Sequence, residues 1–199
     1  MTLKICLPKG YHKTANPTLT QGSNLALLLP IGYLSSIQPY GNSKFTTKLL
    51  YIHLCFMFVA SCVYHGNPSD TTIVPDMLGV SSVTLLFSFI LLQVQTRHLP
   101  WLYVMSGVSV AYFAQTKNMI PYVGVLGIPP LYVAYSLWNR GYNREISEIL
   151  GLLVLMRVLE HRDASVYRLT GLNGHAGKHL IAGLVFVRLI QLCQRLKVL

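Results

Sequence analysis

The sequence predicts an all-α integral membrane protein, a bundle of seven transmembrane helices in which residues 1–199 form a single domain. Three observations carry this. Charged residues make up only 11% of the chain and only six are acidic, whereas soluble domains carry about 25% charge to cover their surface. Hydrophobic residues reach 52% and the mean hydropathy is +0.47. Apolar runs close to the length of a bilayer span recur along the chain, joined by the short connections that lipid-embedded backbone demands.

The runs lie at 24–40, 46–65, 77–95, 99–115, 119–138, 145–160 and 175–193. A span needs roughly 20 apolar residues, with about 17 as a practical minimum. The second, third and fifth meet this comfortably. The first is short and interrupted by Pro30, and the sixth carries Glu148 and Arg157, so six spans is the alternative count. Pro100 suits the first turn of the fourth, where its missing N–H leaves no bond unmade. Pro129 and Pro130 fall inside the fifth and predict a kink.

A net charge of +10 raises nucleic acid as a partner, but the basic residues do not form a face. Lys4, Lys9, Lys13, Lys44, Lys48, Arg97, Lys117, Arg140, Arg144 and Arg195 fall at or between the ends of apolar runs, where bases meet anionic headgroups. Membrane lipids are the partners this implies, and nucleic acid is not. Their slight excess on one set of loops predicts a cytoplasmic C-terminus. The membrane is endoplasmic reticulum or Golgi in a eukaryote and the inner or plasma membrane in a bacterium. Cys6, Cys55, Cys62 and Cys193 show no CxxC spacing, and the two within the second run are read as small hydrophobes. The first 24 residues lack the apolar core of a cleavable signal.

The stretch GLNGHAGKHLIAGL, residues 171–184, first suggests a phosphate loop. A Walker A loop needs Gly where Leu172 stands and Ser or Thr where His179 stands, so that reading fails. Lys178 is expected near headgroups, and the glycines at a tight turn into the last helix. What the stretch retains is His175 and His179, four apart and therefore on one helix face. Alternation of seven spans brings them to the same side as the end of the second span and the start of the third. Those places hold Ser61, His65 and Asp76.

Singly, each residue has a plainer role. A histidine at a span's end is often interfacial, a serine assists helix packing, and an aspartate favours a helix start. Together they suit metal chemistry. Three neutral imidazoles leave one position open on tetrahedral Zn²⁺, the coordination of a catalytic site. Asp76 beside that position serves as general base and then acid, and Ser61 as hydrogen-bond donor to a developing oxyanion. His53 falls about 120° around the helix from His65 and is expected to pack instead. Arg157 and Arg188 are expected to snorkel or to pair with acids, and Glu160, His161 and Asp163 to support or cap.

The combined pattern resembles the alkaline ceramidases and small ceramidase-like membrane proteins. These belong to the seven-span superfamily that includes the adiponectin and progestin receptors and hemolysin III proteins. The shared elements are Ser61-x3-His65, Asp76 eleven residues on, Tyr64-His65 with Pro68 and Asp70, Glu160-His161-Arg162-Asp163, and Gly174-His175 with Lys178-His179-Leu180. The resemblance covers residues 60–185. It implies zinc on His65, His175 and His179, with Asp76 and Ser61 beside the reacting water, and hydrolysis of ceramide or a related long-chain lipid amide. Two departures stand out. The region before the first span has no acidic residue, so no calcium site is expected. Met77-Leu78-Gly79-Val80 replaces the Arg-Leu-Pro-Met that usually follows the aspartate, which changes the pocket beside it. The alternative function is a non-catalytic seven-span receptor or structural membrane protein that keeps a zinc site; a third reading, a transporter, lacks a substrate path.

Overall fold

A computed structural model describes residues 22–170 and 174–199. The expectations of no cleavable signal and no calcium site rest mainly on residues 1–21, and the turn into the last helix on 171–173. These, with Cys6, lie outside the described residues.

The described residues form eight α-helices and no strand. A 3-10 turn at Asn24–Leu27 leads into α1 (Leu28–Ser36). Then follow α2 (Lys44–Gly66), α3 (Ile73–Leu91), α4 (Leu99–Thr116), α5 (Ile120–Trp138) and α6 (Asn143–His161). A short α7 (Asp163–Thr170) and the long α8 (Gly174–Arg195) complete the chain. Every expected span is thus a helix, but among the described residues only four (α2, α3, α5 and α8) are both long and apolar enough to cross a bilayer. The other three fall short for identifiable reasons. The first ends at Ser36, just ahead of Gln38-Pro39, and a residue before proline resists the α conformation. The α4 run carries Ser106, Ser109 and Gln115, and α6 carries Arg144, Glu145, Glu148, Arg157 and Glu160. The α7 helix was not expected; eight residues give too short a period to read.

Side-chain periodicity explains the packing. On α2, Leu50, Leu54, Met57, Ala60 and Ser61 are buried, while Ile52, Phe56, Val59 and Val63 on the opposite side are exposed. Large exposed apolar side chains also line α4 (Trp101, Val104, Val108), α5 (Ile128, Leu131, Tyr135) and α6 (Val154, Val158). Such stripes are more than a water-facing protein usually leaves bare, in keeping with a membrane protein. The core runs through Leu50, Leu54, Leu86, Leu91, Leu137, Ile190 and Leu192. Central in it, α3 packs on α2, α4 and α5, while α8 packs on α6 and α1. The α5 helix continues through Pro129 and Pro130.

Two glycines set the closest approaches. A Cβ on Gly79 would stand 2.8 Å from the Met57 Cα, so α2 and α3 touch backbone to side-chain root. A Cβ on Gly183 would collide with the Ala26 carbonyl, so the Asn24–Leu27 turn rests directly on α8. Gly79→Ala is therefore expected to force α2 and α3 apart, costing about 1–3 kcal/mol. Thermal unfolding in detergent measures this, with Gly151→Ala, where a Cβ meets nothing within 4 Å, as the control. An unchanged Gly79→Ala midpoint would contradict the close packing.

Candidate metal centre

The inward face of α2 that buries Met57 and Ser61 carries His65 one turn further on. On α8 the same spacing puts His175 and His179 above Gly183. The three imidazoles converge there. His175 Nε2 lies 3.2 Å from His65 Nε2 and 3.0 Å from His179 Nε2. Ring centroids are 4.6, 4.9 and 4.8 Å apart, and every pair meets edge to face. One ligand atom from each of the three lies within 4.8 Å of the others, and His175 and His179 are buried.

Hydrogen bonding among the rings cannot account for this cluster. An imidazole nitrogen carries either a hydrogen or a lone pair, never both. His175 Nε2 therefore cannot donate to one neighbour while accepting from the other, and at most one of its two short contacts is a good hydrogen bond. A cation at the centre takes a lone pair from each ring at once. Ligand nitrogens about 2.0–2.1 Å from a tetrahedral zinc lie about 3.3 Å apart, close to the two separations observed. The donor set fits a metal ion.

Asp76 sits in the first turn of α3 and is half-buried. Its helix starts four residues earlier than the expected 77, at Ile73, because the preceding loop is tied by hydroxyls. Thr72 donates to the Asn67 carbonyl at 2.7 Å, and the Ser69 N–H donates to Thr72 Oγ1 at 2.9 Å. Asp76 Oδ1 is buried with no hydrogen-bond partner. The carboxylate lies within hydrogen-bonding reach of Ser61 and within the electrostatic field of Lys178, Tyr64 and Tyr122. The structure thus gathers the five expected residues: three imidazoles in contact, Ser61 one turn below His65, and Asp76 near Ser61.

Some neighbours differ from expectation. Ser61 is not a free donor: its hydroxyl lies 3.3 Å from Asn24 Oδ1 as well as beside Asp76. Lys178 does not reach for headgroups. It bonds Glu160 of α6 at 3.0 Å, and Glu160 also takes Arg157 at 2.8 Å. The packing of α6 on α8, with Leu159 against Gly177, holds Lys178 inside. Arg188 pairs with Glu148 as expected, at 3.7 Å. His53 bonds the Leu49 carbonyl of its own helix at 2.8 Å and faces Tyr103, apart from the site. Sequence reasoning missed Asn24 and Tyr122. Nothing in the spacing of either residue marks it.

Glu160 matters electrostatically, since Lys178 acts on all three imidazoles. Glu160→Gln leaves an uncompensated ammonium facing a cation site and is expected to weaken metal affinity about tenfold. Competition with a metal chelator measures this; equal affinity for wild type and variant would remove Glu160 from the site.

No protein-family model, curated protein or solved structure matches this chain. The resemblance noted above therefore rests on its motifs alone.

Proposed function

We propose that the protein is a zinc-dependent intramembrane hydrolase of the ceramidase-like kind, cleaving ceramide or a related long-chain lipid amide. The observation that carries this is the convergence of His65, His175 and His179 on one point, with a buried, unpartnered carboxylate oxygen of Asp76 nearby. The apolar outer faces of α4 and α6 support placing these two helices in the membrane as well, completing seven spans with α1. A lipid substrate then reaches the site from the bilayer itself.

The three imidazoles hold the metal, and their nitrogen donors suit zinc. When bound, zinc lowers the pKa of its water toward about 7 and polarises a carbonyl oxygen. Asp76 takes a proton from the attacking water at Oδ1 and returns it to the amide nitrogen as the C–N bond breaks. One water is consumed, and a fatty acid and a free amine leave. Ser61, engaged with Asp76 and Asn24, orients the carboxylate in this scheme; oxyanion donation would require it to leave both partners.

Purified protein incubated with a panel of ceramides and N-acyl lipids is expected to release fatty acid, with release lost on chelation and restored by zinc. If no member of the panel is turned over while the metal remains bound, a receptor or structural role with a retained zinc site replaces this reading.

A further inference from the structure

Asn24 is completely buried at the start of the 3-10 turn that Gly183 allows onto α8. Its Oδ1 lies 3.3 Å from Ser61 Oγ, and the Cys62 thiol is close enough to the amide to feel it. Its Nδ2, a group with two hydrogens to give, has no partner. Ser61 meanwhile faces two acceptors, Asn24 Oδ1 and the Asp76 carboxylate, with a single hydroxyl proton between them. One O–H cannot serve both, and a buried amide N–H₂ does not stay unpaired without cost. A half-turn of the Asn24 amide exchanges its two ends without moving any other atom. Nδ2 then donates to Ser61 Oγ, Oδ1 accepts from the Cys62 thiol, and the Ser61 proton is left to Asp76.

We propose that Asn24 is a positioning residue whose amide nitrogen donates to Ser61, committing the Ser61 hydroxyl to one oxygen of Asp76 and leaving Oδ1 free to act as base. The chain Asn24, Ser61, Asp76 runs from the turn ahead of α1 through α2 to α3, one turn beneath the imidazoles. It holds the carboxylate against rotation at the point where the reacting water must be met. The proposal rests on the hydrolase reading for its catalytic meaning but not for its hydrogen bonds.

Asn24→Leu, similar in size but without donors, is tested in the full-length zinc-loaded protein alone and with Ser61→Ala. In lipid-amide hydrolysis, kcat is expected to fall about tenfold, the scale of a misaligned catalytic group, with KM and zinc content unchanged. Added to Ser61→Ala, Asn24→Leu should lower kcat no further, because both break one chain. If Asn24→Leu does not fold, Asn24→Ser, whose hydroxyl is too short to reach Ser61, carries the same expectation. Wild-type kcat with only a lowered melting midpoint would make Asn24 structural and overturn the proposal, as would losses that multiply with Ser61→Ala. The same pair of substitutions read by thermal unfolding tests the hydrogen bond without turnover. If wild type hydrolyses no lipid, the hydrolase reading falls, and additive midpoint shifts would separately sink the Asn24–Ser61 bond.

Discussion

His175→Ala is expected to leave a protein that no longer retains metal through purification, where wild type is expected to carry about one metal ion per chain. His175 Nε2 is the central atom of the cluster, in contact with both other imidazoles at 3.2 and 3.0 Å. Structural zinc sites are worth about 10–16 kcal/mol over four ligands, so one ligand of three accounts for about 3 kcal/mol. That is a loss of at least about a hundredfold in affinity. The same substitution removes the metal-linked stabilisation, about 4 kcal/mol when free metal exceeds its Kd a thousandfold, and with it the rise in melting temperature. Elemental analysis and thermal unfolding with and without zinc check both. His53→Ala is the internal control: that imidazole is equally buried but bonds Leu49 of its own helix, so the metal should stay. A His175→Ala protein that retains stoichiometric zinc would dismantle the site.

The contrast between His53 and His65 also shows what the sequence can and cannot reveal. Both are histidines on α2, and the angle between them on a 3.6-residue helix correctly separated packing from site. That the end of α2 and the start of α8 share one side followed from alternation of apolar segments, which depends on their order and not on their exact ends. For that reason a shared site for His65, His175 and His179 was legible as a possibility although the helix ends were misjudged by several residues. Bilayer crossing was less legible. Length and apolarity are separate requirements: α1 is too short, whereas α4 and α6 are long enough but carry too many polar or charged side chains. The polar partners were least legible. Lys178 faces Glu160 and Asn24 faces Ser61 because particular helix faces meet across a glycine or a leucine. No periodicity in one strand of sequence encodes that meeting.

Asp76→Asn should separate chemistry from metal binding. The substitution keeps the shape of the side chain and an acceptor oxygen toward Ser61, so zinc content and melting temperature should stay close to wild type. What it removes is the ability to take a proton at the unpartnered oxygen. General acid–base catalysis contributes about 10²–10⁴-fold, and Asp76 is asked to act twice, on the water and on the leaving nitrogen. The expected kcat for lipid-amide hydrolysis is therefore lower by about a thousandfold, with KM little changed, since the carboxylate supplies no grip on the acyl chain. This outcome also discriminates between classes of function. A receptor or structural site needs the three imidazoles but has no use for a proton acceptor beside them. Turnover by Asp76→Asn at the wild-type rate would show that another group moves the proton, and Tyr122, buried on α5 within the field of Asp76, is where that search would turn.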